Sequence, residues 1–164
     1  MSRKIKLSKT EQLTKAHNKE QFNCGDMNLN TFLKEYALQN HKINSSKTYV
    51  SIDKSNKNVI AYYTLAYGSV EHIEATPQVK KRMPQYPIPA MILARLAVDI
   101  NYQGYGIGQS LLKDAIERTL GASEIAGLRA IVAHAKDNQA KEFYIKHGFE
   151  SSTLDNYHMM LSLK

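Results

Sequence analysis

A chain of 164 residues, 43% of them hydrophobic, is long enough to bury one core and short enough that a single domain, residues 1–164, is the expectation. Its one cysteine, Cys24, excludes an intrachain disulfide; with no apolar N-terminal stretch and no long apolar run, we expect a cytoplasmic protein that neither carries a secretory signal nor spans a membrane. Lysine and arginine outnumber aspartate and glutamate by 22 to 15, a formal charge of +7 that suits a polyanionic partner or simply a basic surface.

Residues 1–19 are basic and only weakly periodic. From Leu29 onward, Phe32, Leu33, Tyr36 and Ala37 recur at the spacing of an amphipathic helix that ends near His41, and the stripe is most simply core. The run TYVSID, the polar KSNKN at 54–58, and VIAYYTLAYGSVEH are rich in β-branched and aromatic residues and read as an antiparallel hairpin. Pro77, Pro84, Pro87 and Pro89 make 76–89 a loop, with a helical turn near 79–82. Residues 91–98 form a nearly continuous apolar strand for the middle of a sheet, in which Arg95 is conspicuous. Ile107, Leu111, Leu112, Ala115 and Ile116 predict a helix to about Leu120, with Gly121 as its stop. A strand at 128–133, a helix at 138–147 ended by Gly148 and a strand at 158–163 complete a mixed α/β pattern without repeats or linkers.

Between the central strand and the helix lie three glycines at alternate positions, Gly104, Gly106 and Gly108. Such a cluster serves either a tight turn or an anion held by backbone N–H groups. Because it opens directly into a helix N-terminus, where N–H groups lack helical partners and the dipole is positive, phosphate binding is the better reading. A Walker loop is excluded, since Gly108 is followed by Gln109 and Ser110 rather than by Lys and Ser or Thr. A Rossmann site fits poorly, because the preceding half of the chain is antiparallel.

The segment VDINYQGYGIGQSLL resembles the coenzyme A pyrophosphate loop of the GNAT family of N-acetyltransferases, whose pattern is Gln/Arg-x-x-Gly-x-Gly/Ala after the central strand. Gln103, Gly106 and Gly108 fill that pattern, and by the same resemblance Gly104, Tyr105, Ile107, Gln109 and Ser110 belong to the coenzyme-binding loop. The segment NQAKEFYIKHGF resembles the family's later helix, in which an Asn contacts the coenzyme and a Tyr near the helix end acts on the thioester. Those are Asn138 and Tyr144 here, with Phe143 on the coenzyme side. The resemblance implies a central mixed, mostly antiparallel sheet flanked by helices, acetyl-coenzyme A as acetyl donor, and no metal. It also implies a distorted central strand that offers a backbone N–H to the thioester carbonyl at Val98, with Leu96 and Ala97 beside it along the pantetheine arm.

More narrowly, FNCGDMNLNTFLKEYALQNH, ARLAVD and QGYGIGQSLLKDAIER together resemble the tRNA-acetylating toxins of bacterial toxin–antitoxin modules, over about residues 21–149. That likeness implies acetyl transfer to the α-amino group of an aminoacyl-tRNA, arrest of translation, and a ribbon-helix-helix antitoxin as partner.

The chemistry can be reasoned from the groups themselves. An amine attacks a thioester carbonyl, so the site must hold a developing oxyanion and protonate a departing thiolate. A phenol of pKa about 10 stays protonated at neutral pH and can serve a thiolate whose acid titrates near 8.5, which suits Tyr144 as general acid. Spacing alone would make Tyr144 a core residue of an amphipathic helix. An α-amino group, with pKa about 7.7 to 8.0, is already substantially neutral at physiological pH, whereas lysine at about 10.4 needs a strong base. The absence of an evident His/Glu base motif therefore fits an α-amine, although Glu71, Glu74 or His134 can serve through water. Cys24 is assigned to packing.

Lys34, Lys42, Lys47, Lys80, Lys81, Arg82 and Arg95 are candidates for a phosphate-backbone path, with Arg95 and the 80–82 cluster favoured for the tRNA. Arg95 has a competing role in pairing across a homodimer interface, the expected assembly. Tyr62, Tyr63, Tyr67 and Tyr86 are candidates for stacking on the unpaired tRNA end. The alternatives are an acetyltransferase for a small amine or a protein N-terminus, and a non-catalytic coenzyme A-binding regulatory module.

Overall fold

A computed structural model describes residues 6–163, so residues 1–5 of the basic segment lie outside the described residues. Seven strands, β1 (Glu11–Gln12), β2 (Lys47–Ile52), β3 (Val59–Val70), β4 (Ile88–Val98), β5 (Ala130–His134), β6 (Glu150–Ser151) and β7 (His158–Ser162), form a mostly antiparallel sheet in the order β1-β2-β3-β4-β5-β7-β6. The β4–β5 pair is parallel, while β1–β2, β2–β3, β5–β7 and β6–β7 are antiparallel. The helices are α1 (Met27–Thr31), α2 (Ala37–Lys42), α3 (Pro77–Lys80), α4 (Ile107–Ser123) and α5 (Asn138–Lys146). Two compact units share the chain, one from residues up to 65 with 95–115, the other from 66–94 with 116–163.

In the first unit, the hairpin between β2 and β3 closes where KSNKN predicts it. The Asp53 carboxylate accepts from the N–H and hydroxyl of Ser55, the Asp53 carbonyl accepts from the Lys57 N–H at 2.8 Å, and Lys57 turns left-handed at φ 62°. Asp26 caps α1 through the N–H groups of Asn28 and Leu29. Between α1 and α2 the chain adopts a π-helical turn, Phe32–Tyr36. Its extra residue per turn rotates the stripe: Phe32, Leu33 and Ala37 stay buried, while Tyr36 is 56% exposed, against the sequence expectation that all four share the core. Phe32, Leu33 and Ala37 join Leu13, Phe22, Val50, Val59, Tyr62 and Ala97 in one apolar cluster. Each large side chain buried there contributes about 1.5–3 kcal/mol.

In the second unit, Thr76 caps α3 through the Val79 N–H and Pro77 occupies its first turn. Val79 packs with Val70, Ile88, Ala90, Val132 and Met160. The Arg129 guanidinium fastens α3 by donating to the carbonyls of Val79 at 2.9 Å, Gln78 at 3.3 Å and Lys81 at 2.9 Å. The loop expected over 76–89 is thus shorter. β4 begins at Ile88 and includes Pro89, which lacks a donor but accepts from the Arg129 N–H near the strand's start. Gly121 does not stop α4, which continues to Ser123. β5 starts at Ala130 rather than 128, and the two-residue strands β1 and β6 are too short to show a period in sequence.

Candidate active site

β4 ends at a buried aspartate. Asp99 accepts from the backbone N–H groups of Asn23 at 3.0 Å and Asn101 at 2.9 Å, and its own N–H reaches the Ile60 carbonyl. A 3-10 turn, Ile100–Tyr102, leads to Gln103, whose side-chain amide donates to the Val98 carbonyl at 2.9 Å and to the Cys24 carbonyl at 3.3 Å. Gly104 and Gly106 then take φ of 88° and 78°, conformations that L side chains rarely adopt. The Gly106 carbonyl accepts the first α4 bond, from the Ser110 N–H at 3.1 Å. The N–H groups of Ile107, Gly108 and Gln109 therefore precede the helical ladder at the positive end of a 17-residue helix. A Cβ on Gly104 or Gly106 meets nothing within 4 Å, while one on Gly108 would touch Val98 at 3.8 Å and Leu96 at 4.0 Å. Loop, helix start and strand end thus come together, as the sequence expects of residues 96–98 and 103–110.

Arg95, one residue before Leu96, lays its guanidinium carbon 3.7 Å from the centre of the Phe32 ring. Phe32 stacks on Tyr62 at 6.4 Å, and the Tyr62 hydroxyl donates to the Leu29 carbonyl at 2.6 Å. Burial holds the Tyr62 phenol well above its usual range. The charge in β4 is therefore accommodated by its own chain. Tyr62 and Tyr63 are wholly buried and so leave the set of stacking candidates, whereas Tyr67 and Tyr86 are exposed.

In the second unit, α5 is capped by Asp137, whose carboxylate accepts from the Ala140 N–H at 2.8 Å. Asn138 is its first residue, exposed, with its side-chain oxygen accepting from the Tyr157 hydroxyl at 2.8 Å. Near the helix end Tyr144 is buried between Phe143, 5.4 Å away and edge-on, and Phe149 at 5.2 Å. Burial pushes its phenol up to about 12, so it stays protonated through the physiological range. Tyr157 went unread in the sequence, since it lies on a turn nineteen positions from the Asn138 that it orients.

Of the residues considered as bases, Glu71 is exposed and His134 stacks on His158 at 4.3 Å with its Nε2 3.5 Å from Asp155. Glu74 lies near enough to His158 to raise its proton affinity. In the 80–82 cluster, Lys81 and Arg82 are exposed and Lys80 half-buried. Cys24 is half-buried against the first unit's core, in keeping with a packing role. No described helix is long and apolar enough to cross a membrane, and among the described residues no group of three or more His, Cys, Asp or Glu is placed to hold a metal ion.

In the first unit a strand end tied to a positive-φ glycine loop at a helix N-terminus has the geometry of an anion site, and in the second a helix carries a protonated tyrosine. The acetyltransferase (GNAT) domain model matches residues 44–151, and the chain belongs to that family of acetyl-coenzyme A-dependent N-acetyltransferases. It is 39% identical over 157 residues to a tRNA-acetylating toxin of Mycobacterium tuberculosis, covering 96% of this chain and 93% of that one. Among solved structures, a tyrosine-to-phenylalanine variant of KacT superposes with a TM-score of 0.88 at 27% identity, covering 96% of this chain and 95% of KacT. AtaT complexed with acetyl-methionyl-tRNAfMet gives 0.87 at 26% identity, with 95% and 94% covered. A tyrosine-to-phenylalanine variant of AtaT bound to the C-terminus of the antitoxin AtaR and acetyl-coenzyme A gives 0.80 at 25% identity, with 96% and 93% covered.

Proposed function

We propose that this chain transfers the acetyl group of acetyl-coenzyme A to the α-amino group of an aminoacyl-tRNA and thereby blocks translation. The observation that carries the reading is the 39% identity to a tRNA-acetylating toxin along 96% of the chain. The +7 charge suits an RNA acceptor.

The loop fits a coenzyme pyrophosphate, because the open space beside Gly104 and Gly106 is space that a Cβ would enter, and the α4 N-terminus faces it with unladdered N–H groups. We assign the pyrophosphate to Gly104, Tyr105, Gly106, Ile107, Gly108, Gln109 and Ser110, with Gln103 bracing the loop. Leu96, Ala97 and Val98 hold the pantetheine arm, and Asn138 and Phe143 contact the coenzyme. When bound, the coenzyme supplies a thioester carbonyl as acyl donor. The Val98 N–H receives the carbonyl oxygen. As the amine nitrogen bonds to the carbonyl carbon and the C–S bond breaks, Tyr144 gives its proton to the leaving sulfur and the amine releases one to water. Burial keeps the Tyr144 proton in place at rest and also makes it a weaker acid, so it departs only as charge builds on sulfur.

We take residues 1–164 as one catalytic domain, since the family match spans segments of both units. Arg95, Lys80, Lys81 and Arg82 are assigned to the tRNA, an antitoxin of ribbon-helix-helix type and a homodimer are the proposed assemblies, and the substrate places the reaction in the cytoplasm. Incubation with radiolabelled acetyl-coenzyme A and charged tRNA tests the reading: label should appear on the amino acid and be released with it by mild base. Label on the polynucleotide itself, or none, would count against it.

A further inference from the structure

Beyond the catalytic apparatus, the second unit contains a recess of about 290 Å³ lined by Gln78, Lys81, Arg82, Met83, Arg129 and Ser162. Three of these six are cationic and none is a carboxylate. Arg129 spends Nε and Nη2 on the carbonyls of Gln78, Val79 and Lys81, and its Nη1 makes no hydrogen bond among the described residues. The guanidinium is thus fixed in place by neutral carbonyls while keeping its full charge and two donors.

The turn beside it is built against local preference. α3 ends at Lys80, and Arg82 follows in the left-handed region at φ 64°, a position past a helix end where glycine is favoured. An arginine there costs backbone strain that glycine would avoid. The Lys81 carbonyl, one residue earlier, is held by Arg129, which keeps the turn in this shape.

We propose that this recess seats one phosphate group of the tRNA backbone, with Arg129 as its fixed donor and Lys81 and Arg82 closing over the charge. It rests on the aminoacyl-tRNA reading and adds Arg129, Gln78 and Ser162 to the acceptor's binding surface. Lys80, which does not line the recess, is not part of it. The 3′-phosphate of coenzyme A offers the same chemistry, and the experiment separates the two sources.

Arg82→Gly removes the charge and suits φ 64°, so the variant folds at least as stably as the parent. Lys81→Gln, at an exposed position, supplies a second probe. For each, kcat/KM is measured on charged tRNA and on free aminoacyl methyl esters at several salt concentrations, with acetyl-coenzyme A and its 3′-dephospho form as donors. We expect the tRNA-to-ester ratio to fall about tenfold for Arg82→Gly, and the log–log salt slope on tRNA to become shallower by about 0.7 to 0.9, one phosphate contact. A ratio within twofold of the parent with an unchanged slope overturns the seat. A loss seen with acetyl-coenzyme A on both acceptors but not with the dephospho donor assigns the phosphate to the coenzyme and overturns it equally. Failure of the parent to acetylate charged tRNA removes the acceptor reading itself, and the seat with it.

Discussion

The Gln103 side-chain amide donates to the Val98 carbonyl at 2.9 Å, tying the first residue of the glycine loop to the last residue of β4. The loop we assign to the pyrophosphate and the strand end we assign to the thioester are therefore set at one distance by one side chain, which also reaches the Cys24 carbonyl. Gln103→Ala loses two hydrogen bonds of about 1 kcal/mol each, and acetyl-coenzyme A affinity should weaken about five- to tenfold. Gln103→Glu sets a carboxylate against two carbonyl oxygens and should weaken it further. Calorimetric titration checks the order; an alanine variant binding as tightly as the parent would make the strut irrelevant.

Two glycines with open space beside them should respond in opposite senses. Gly106 sits at φ 78°, so Gly106→Ala strains the backbone by about 1 kcal/mol and weakens coenzyme binding. Gly121 lies inside α4, where a Cβ meets nothing within 4 Å, so Gly121→Ala should stabilise by about 0.5–1 kcal/mol. Thermal unfolding should show the first melting lower and the second a few degrees higher.

Tyr144→Phe keeps the ring that packs between Phe143 and Phe149 and removes the proton. Acetyl-coenzyme A binding should persist while transfer falls about 10²-fold or more. Transfer at the parental rate would reduce Tyr144 to a packing residue.

Stability should fall as the pH drops below neutrality. Burial, then the stacked His134, holds His158 below the ordinary histidine range, with Glu74 and Asp155 pulling the other way. Burial, then Lys47, does the same to His41, whose Nδ1 accepts the Thr48 N–H and whose other nitrogen meets Gln12. Above about pH 6.5 these groups are neutral in both folded and unfolded chains. Below it the unfolded chain takes up protons first, so stability declines until the folded-state values are passed. Urea unfolding at pH 7.5 and 5.5 should give the lower free energy at 5.5, and His158→Gln should shrink the difference.

Much of this was legible in the sequence because it depends on neighbouring residues. The hairpin is encoded in KSNKN, the turn into α4 in Gly104, Gly106 and Gly108, and α5 in the helical pattern that ends at Gly148. What escaped was set by tertiary geometry. The π-helical turn that exposes Tyr36 has no periodic mark, and Tyr62 and Tyr63 are both buried although they alternate along β3. The Arg95–Phe32 stack and the Tyr157–Asn138 bond join segments 63 and 19 positions apart. Gly121, a stop by local preference, is overridden by the helix that continues through it.

The choice of acceptor is tested most directly by competition. Charged tRNA, a lysine-bearing peptide and a polyamine are offered together with labelled acetyl-coenzyme A. With its N-terminus blocked the peptide offers only a lysine amine, and the polyamine only alkyl amines, all of high pKa, for which no strong base is evident among the described residues. We expect label on the aminoacyl group of tRNA and little elsewhere, with transfer falling steeply as salt rises. Label on the peptide or polyamine and none on tRNA would contradict the proposed acceptor, while leaving the acetyltransferase fold and its glycine loop in place.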